Sequence, residues 1–326
     1  ARNIKRNFNK LGIYNIDLRQ SWVKNSEPYL ENISKRADII ISTSGPPSVH
    51  NIANKLKVLN PNIFWVADYR DLWSQNHAVD LPDNIRKSQA KEEIEIIKNS
   101  NLLTTISKEL SFNLKSFHNK ECLVYPNGFD IDIKSIEERI CNYKSYTGNK
   151  KTINIVHTGA IYKELRDPQP LFNCICNLIE KNKIKSCQVK IKFYGSYLEP
   201  LKPYLQNLKY KDIVELKGYV PREKIIKIQK SADILLLLES PKIEAKGVLP
   251  GKIFEYFAAC KPILCIGSKP EFAIGELLKK TGTGIVIGPG QHKNLNKIIC
   301  GSIRGKGIYD LYKPNIKEIS FYSRKF

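Results

Sequence analysis

The sequence lacks methionine, CxxC cysteine pairs and long apolar runs, and these absences exclude several classes of protein. The longest near-continuous apolar stretch, residues 234–238, is far shorter than the roughly 20 residues that span a bilayer. The opening Ala1-Arg2-Asn3-Ile4-Lys5 is too polar for a secretory signal peptide. Eight cysteines without CxxC spacing indicate reduced thiols rather than a disulfide framework or a zinc site. We therefore expect a soluble cytoplasmic protein.

The absence of methionine is unusual for a chain of 326 residues that opens at Ala1. Either modified methionines are missing from the printed sequence, or the chain is a fragment of a longer protein. Motifs of several enzyme classes are missing too: there is no Walker loop, GxGxxG fingerprint, metal-binding triad or Ser-His-Asp spacing. Trp22, Trp65 and Trp73 do not alternate with basic residues as in a nucleic-acid platform.

Basic residues are in strong excess, with a formal net charge of +21. Residues 1–150 carry 22 Lys and Arg against 17 Asp and Glu, and residues 151–326 carry 31 against 15. Such an excess favours an anionic partner: nucleic acid, an anionic membrane or a phosphorylated substrate. A composition rich in Lys, Asn and Ile accounts for part of it without any such partner.

Short apolar runs of buried-strand type alternate with helical stretches along the chain. The predicted strands cover 37–42, 62–68, 101–106, 121–125, 153–157, 188–194, 213–216, 233–238, 262–266 and 284–287. The predicted helices cover 82–98, 107–117, 168–181, 198–209, 221–230, 251–260 and 271–280. This alternation predicts an α/β fold of two doubly wound, Rossmann-like domains with parallel sheets. We place the first domain at 1–145, the second at 146–305 and a tail at 306–326.

Ligands of parallel sheets bind at the carboxyl ends of the strands, where the strand order reverses. The residues that follow the predicted strands are mainly Gly, Ser and Asp. Examples are Ser44, Gly45, Asp68, Asp71, Gly128, Gly159, Gly195, Gly218, Glu239 and Gly267. Small side chains there leave room for a ligand between two domains, although singly each is an ordinary loop residue.

Four stretches carry a resemblance to a known family. They are ADIIISTSGPPSVH at 37–50, FWVADYRDLW at 64–73, TISKEL with YPNGFD at 105–110 and 125–130, and VLPGKIFEYFAACKPIL at 248–264. In this order they resemble a GT-B glycosyltransferase, whose two Rossmann-like domains face a cleft. The chain is most similar to the retaining family 4 enzymes of bacterial surface-polysaccharide synthesis. The Gly-rich start of that family's first domain has no match, so the resemblance implies a truncated first domain.

The resemblance places the nucleotide-sugar donor on the second domain. Pro250-Gly251 stands where a helix begins, and free amides there make an anion cradle. Glu255 resembles the family's second motif glutamate, which accepts the ribose hydroxyls. A buried Glu on this largely apolar helix would need a partner, which favours a binding role over the alternative of a solvated helix residue. The family's first glutamate corresponds to Gly247, so sugar recognition does not transfer. The other predicted donor-binding residues are Gly159, Gly195 and Val220.

The resemblance also implies a basic pair around the donor diphosphate. Its first position is Ala160 and does not match, but the second is Arg166, whose guanidinium can pair with phosphate oxygens. Lys252 opens the helix at the anion cradle and adds a second cation. We predict Arg166 and Lys252 as catalytic groups, with a structural ion pair between Arg166 and Asp167 as an equal alternative.

On the acceptor side, Asp68 and Asp71 are predicted catalytic residues, and Arg70 lies between them in sequence. The alternative is that a pair between Arg70 and one aspartate pins the loop. The position of the family's histidine is occupied by Ser44-Gly45, and His50 is predicted to be a packed or surface histidine.

One further motif completes the acceptor-side prediction. Asn127-Gly128 resembles the family's Pro-Asn-Gly turn, which faces the cleft, although by itself this tripeptide indicates only a turn. Ser44, Gly45, Arg70, Asn127 and Gly128 are therefore the predicted acceptor-side residues.

We predict a retaining, metal-independent hexosyltransferase-like enzyme that moves a sugar from a nucleotide-sugar to a saccharide or lipid-diphosphate-linked acceptor. The nucleotide-sugar is a substrate, so no cofactor and no metal ligands are predicted. The resemblance implies a role in lipopolysaccharide or capsule synthesis, at the inner face of the membrane and without nucleic acid. Two alternatives stay open: a sugar-nucleotide epimerase on the same fold, or a non-enzymatic basic module that binds nucleic acid or membrane.

Overall fold

The computed structural model describes residues 20–76, 78–79, 81–144, 152–162 and 165–325. These residues form two compact units, one through Pro126 and the other from Asn127. Each unit contains a parallel sheet with helices packed on it, as the alternation of strands and helices predicts. No helix in these ranges is both long and apolar enough to cross a membrane.

The first unit is built on four parallel strands in the order β1-β2-β3-β4. Its elements are α1 (Gln20–Ser34), β1 (Ile39–Thr43), α2 (Ser48–Leu59), β2 (Phe64–Tyr69), α3 (Asp83–Ile97), β3 (Leu102–Thr105), α4 (Lys108–His118) and β4 (Cys122–Val124). Aromatic and branched side chains favour the extended strands. Trp65, Tyr69 and Leu103 are fully buried in the core.

The second unit has six parallel strands in the order β10-β9-β8-β5-β6-β7. Its elements are α5 (Ile133–Lys144), β5 (Ile153–Thr158), α6 (Gln169–Glu180), β6 (Val189–Tyr194), α7 (Lys202–Gln206), β7 (Val214–Gly218), α8 (Arg222–Ser231), β8 (Ile234–Leu238), α9 (Lys252–Ala259), β9 (Ile263–Ile266), α10 (Ala273–Thr281), β10 (Gly284–Ile287), α11 (His292–Ile303), α12 (Ile308–Leu311) and α13 (Ile316–Ser320). The strand order reverses at β5, which pairs with β6 on one side and β8 on the other. Such a reversal leaves a crevice at the carboxyl ends of these strands.

The core of the second unit explains its strand pattern. All five residues of β8 are buried, since helices cover both faces of a central parallel strand. Phe172 of α6 meets Phe193 of β6 edge to face, with ring centroids 6.2 Å apart. The helix predicted over 198–209 is shorter in the structure, with a 3-10 turn at Glu199–Leu201 followed by α7. Pro200 and Pro203 have no N–H to continue a longer helix.

The contacts divide the two units at Pro126, ahead of the predicted boundary at residue 145. The reason is that α5 packs on the second unit. Arg139 Nη1 donates a hydrogen bond to Ala258 O at 3.1 Å, and Ile136 has no exposed surface. The segment from 127 to 144 therefore belongs structurally to the second sheet and its helices.

The Asn127-Gly128 segment, where the sequence predicts a turn, leads into a β-bridge between Phe129 and Ser323 and lies against the carboxyl-terminal residues of the chain. Phe129 N donates to Tyr322 O at 2.9 Å, and Arg324 N donates to Phe129 O at 2.9 Å. A Cβ on Gly128 would overlap with Tyr322 O. The segment 306–325, predicted as a tail, is thus packed on the second unit, and this close approach is a structural reason for the glycine.

We expect Gly128→Ala to lower the free energy of unfolding by about 1–3 kcal/mol, the usual cost of inserting a methyl group without space for it. Urea unfolding followed by far-ultraviolet circular dichroism measures this loss. Gly251→Ala is the matched control, because its φ is −53° and its added Cβ has no neighbour within 4 Å. Equal midpoints for the two variants would show that Gly128 is not needed for packing.

Candidate functional site

The carboxyl ends of β5 and β6 are packed together through two glycines. Gly159 follows β5 with φ +134°, and its N–H donates to Tyr194 O at 2.6 Å. A Cβ on Gly195, which follows β6, would overlap with Gly159 O. Gly159 needs to be glycine because of its backbone conformation, and Gly195 because the backbone of Gly159 approaches it closely. These two predicted donor-binding residues therefore lie side by side.

Lys252 is the first residue of α9, and its side chain lies over Gly159. A Cβ on Gly159 would overlap with Lys252 Nζ, so the ammonium group occupies the space that the missing side chain leaves. Burial, followed by the nearby Arg166 guanidinium, lowers the pKa of Lys252 to about 8, against the opposite effects of Glu255 and Glu239. A poorly hydrated cation thus stands at the end of β5.

Arg166 is held beside this lysine by three contacts. Its Nη1 donates to Ala160 O at 2.8 Å, and its guanidinium carbon lies 4.9 Å from the centroid of the Tyr162 ring. Its Nη2 lies 3.9 Å from Glu239 Oε1. Asp167 accepts a backbone hydrogen bond of 2.9 Å at the start of α6. The acidic partner that the structure places against Arg166 is therefore Glu239, whereas Asp167 caps a helix.

Glu239 directly follows β8 and completes a group of four residues, Gly159, Arg166, Glu239 and Lys252, called here the β5–β8 cluster. Its side chain is 13% exposed, and its Oε1 has no hydrogen-bond partner among the described residues. Burial raises the pKa of Glu239 to about 7, although Arg166 and Lys252 act in the opposite direction. Glu239 follows a predicted strand but is not among the predicted site residues. The available signal was an acid directly after a wholly apolar strand.

His157 lies on β5 and was also missed. Its Nδ1 is 3.0 Å from Leu236 O, to which an imidazole N–H must donate, and the Tyr256 hydroxyl donates to the same carbonyl at 3.1 Å. Burial lowers the pKa of His157 well below its usual value, and the Lys252 charge lowers it further. His157 is therefore a neutral, packed residue near the cluster.

Glu255 lies on the exposed side of α9, so the burial that favoured a binding role over a solvated helix residue is not observed. Glu255 and Gly251 are one helical turn apart and share the face that turns away from the core. Glu255 Oε2 accepts a hydrogen bond from Gln229 Nε2 at 3.1 Å, and the same amide nitrogen donates to Thr158 Oγ1 at 3.0 Å. The buried Gln229 thereby links Glu255 to the end of β5.

A cavity of about 390 Å³ lies within the second unit, between α8, α9 and the segment 127–131. Its wall includes Gly251, Glu255 and Gln229, together with the basic residues Arg222, Lys230 and Arg324. Val220 and Pro250, both predicted to bind the donor, lie just before α8 and α9. The predicted donor-binding residues therefore lie around the carboxyl ends of the strands of the second sheet.

In the first unit, the buried Asp68 and the partly exposed Arg70 form an ion pair. Arg70 Nε donates to Asp68 Oδ2 at 2.7 Å, and Thr104 Oγ1 donates to Asp68 Oδ1 at 2.7 Å. Arg70 Nη1 also donates to Tyr125 O at 3.0 Å. Because both carboxylate oxygens of Asp68 already accept hydrogen bonds, the geometry favours the alternative in which this pair pins the loop.

The remaining predicted residues of the first unit lie in the loops after β1 and β2. Ser44 Oγ donates to Asp71 O at 3.3 Å, Gly45 has φ +116°, and Asp71 is exposed. His50 is packed, with its Nδ1 2.7 Å from Ser42 Oγ, and burial lowers its pKa to about 4. Among the described residues, no group of three or more His, Cys, Asp or Glu could hold a metal ion.

Comparison with known proteins gives a family match for part of the chain. Residues 173–305 match the family described as "Glycosyl transferases group 1", a span that includes Glu239, Lys252 and Glu255. No curated protein matches the sequence significantly.

Solved structures resemble nearly the whole chain. Sucrose-phosphate synthase from Thermosynechococcus elongatus aligns with a TM-score of 0.67 at 12% identity, over 96% of this chain and 77% of that one. An α,α-trehalose-phosphate synthase (UDP-forming) from Burkholderia vietnamiensis aligns with a TM-score of 0.61 at 8% identity, over 92% of this chain and 73% of that one. At such identities the likeness concerns the fold. The predicted class is confirmed: the chain has an α/β fold with two parallel sheets that matches GT-B glycosyltransferases.

We expect Lys252 to titrate at about pH 8, whereas lysines ordinarily titrate near 10.4. Carbon-detected NMR of the lysine ε-methylene groups should show one early transition, which Lys252→Arg removes. Lys246→Arg, at an exposed lysine on the preceding loop, should keep it. If every lysine signal stayed in its protonated position to pH 9.5, the ammonium would not be buried against Gly159.

Proposed function

We propose that the protein is a glycosyltransferase that uses a nucleotide-activated sugar as donor. The observation that carries this proposal is the β5–β8 cluster, in which two cations lie at the strand-order reversal of the second sheet. The family match over residues 173–305 and the GT-B fold support the same reaction class.

The diphosphate of the donor fits the β5–β8 cluster by charge and geometry. Lys252 and Arg166 can pair with phosphate oxygens. Lys252 is also the first residue of α9, and the amino terminus of a helix carries a partial positive charge. Gly159 has no side chain to hold an anion away from the ammonium group. A dianionic diphosphate would also strengthen the protonation of Lys252, because a neighbouring negative charge raises the pKa of an amine.

Glu255 is the group that we assign to the ribose. Its carboxylate is exposed at the wall of the cavity and is oriented by Gln229. A carboxylate has two oxygens that accept, so it can receive both vicinal hydroxyls of a ribose. The base would then enter the adjoining cavity between α8 and α9.

The catalytic task of the chain is to stabilise negative charge on the departing diphosphate. Arg166, Lys252 and the positive end of the α9 dipole supply that stabilisation in a poorly hydrated site, where it is stronger than in water. We propose retention of configuration, with the acceptor attacking from the face that the diphosphate leaves. A diphosphate oxygen can take the acceptor proton, so this scheme needs neither a protein base nor a metal ion.

The acceptor is proposed to be a saccharide or a lipid-diphosphate-linked saccharide of surface-polysaccharide synthesis. The resemblance to family 4 enzymes and the net charge of +21 support this choice, since anionic lipid attracts basic surfaces. We place the enzyme in the cytoplasm, with peripheral contact to the inner face of the membrane.

A panel of UDP-, GDP- and dTDP-sugars tests the proposal directly. We expect one nucleotide series to raise the melting temperature, because a ligand at 100 times its Kd stabilises the native state by about 2.7 kcal/mol. The same series should release free sugar slowly from the labelled donor. Salt-dependent DNA binding without stabilisation by any of these donors would instead favour a basic binding module.

Glu255→Ala should weaken binding of the preferred nucleotide diphosphate at least tenfold, since hydrogen bonds to a charged group contribute about 1.5–3 kcal/mol. Isothermal titration calorimetry measures the change. Glu276→Ala is the matched control, because Glu276 is also an exposed acid in the first turn of its helix, α10. Similar affinities for the two variants would remove Glu255 from the site.

A further inference from the structure

Glu239 is held at a fixed position by its backbone. Its N–H donates to Ile266 O at 3.0 Å, continuing the ladder between β8 and β9. A Cβ on Gly267, which has φ +99°, would overlap with Glu239 O. The end of β8 is therefore clamped by its neighbour strand, and the Glu239 side chain starts from a rigid point of the sheet.

The carboxylate of Glu239 is incompletely satisfied. Its Oε1 is buried without a hydrogen-bond partner among the described residues, and Arg166 Nη2 at 3.9 Å is too distant for one. A buried acceptor without a donor is costly and unusual, so it needs an explanation. Oε1 itself is buried, whereas the side chain as a whole remains 13% exposed.

The surroundings limit which kind of hydrogen-bond donor can pair with the carboxylate of Glu239. Arg166 and Lys252 already supply two positive charges, and a third cation would be repelled by both. A neutral hydroxyl is the donor that fits. In a nucleotide-sugar the transferred sugar is bonded directly to the diphosphate, so its hydroxyls lie next to the groups that hold the phosphates.

We infer that Glu239 accepts a hydrogen bond from a hydroxyl of the transferred sugar and thereby selects the sugar. The inference rests on the proposed use of a nucleotide-sugar donor. In this arrangement Arg166 and Lys252 lie between two groups. They contact the diphosphate on one side and the carboxylate of Glu239 on the other. The acid sets the position of the sugar relative to the leaving group.

The test compares the affinity for a nucleotide-sugar with that for its free nucleotide. Kd values are measured by calorimetry for UDP and UDP-glucose, GDP and GDP-mannose, and dTDP and dTDP-glucose, and the pair that the wild type binds most tightly is used. Glu239→Gln keeps the shape and removes the charge. It should bind the free nucleotide as well as the wild type or better, and its preference for the sugar form should fall about tenfold.

Glu239→Asp provides an independent variant, because it keeps the charge beside Arg166 and Lys252 but withdraws the carboxylate by one methylene. It should also lose the sugar preference while binding the free nucleotide normally. Glu244→Gln, at an exposed acid on the same loop, is the matched control and should change neither value.

The outcomes separate this inference from the proposed function. A wild type that binds none of the six ligands contradicts the proposed function itself. A wild type that binds, with an unchanged ratio of the two Kd values in Glu239→Gln or Glu239→Asp, overturns the role of Glu239 alone. Equal weakening of nucleotide and nucleotide-sugar would show that Glu239 only balances the charges of the two cations.

Discussion

The ammonium group of Lys252 rests in the space that a β-carbon on Gly159 would fill. This contact depends on a backbone conformation that L side chains rarely adopt, at φ +134°, and on a helix that begins directly above the end of β5. It places a largely desolvated positive charge beside a guanidinium, with Glu255 and Glu239 as the nearby counter-charges. The electrostatics of the site follow from that single close approach.

The sheet order makes the approach possible. Because β5 lies between β6 and β8, the loops after these three strands converge, although they are far apart in sequence. The strands can meet there only because the interior between them is apolar and continuous, as the five buried residues of β8 show. A charged group directly after such a strand is still close to the packed core. That position explains both the burial of Glu239 and its raised pKa.

Hydrophobic periodicity predicted the two parallel sheets, since buried strands and amphipathic helices have distinct patterns in one dimension. Side-chain partners were harder to predict because they come from distant segments. Arg166 has an acid next to it in sequence, yet the structure sets it against Glu239, which lies on another strand. The apolar neighbours of Glu255 favoured a binding role over a solvated helix residue, but Glu255 occupies the single exposed stripe of α9. Sequence patterns indicate which residues are polar, and only the packing shows which face each one takes.

The exposed charges of the chain and the charges of the β5–β8 cluster have different effects on an anionic ligand. The exposed charges act at a distance, and the cluster acts by direct contact. The net charge of +21 comes from an excess of lysines and arginines along the whole chain. The field of an exposed charge is screened within about 10 Å at 0.1 M salt. The cluster itself contains two cations and one acid, so its local charge is modest. Under the proposed function, binding strength for a diphosphate would come from directed contacts with the partly desolvated Lys252 and Arg166, which screening affects little. The exposed basic surface would then raise the rate of encounter with an anionic ligand, while Lys252 and Arg166 would set how long that ligand stays bound.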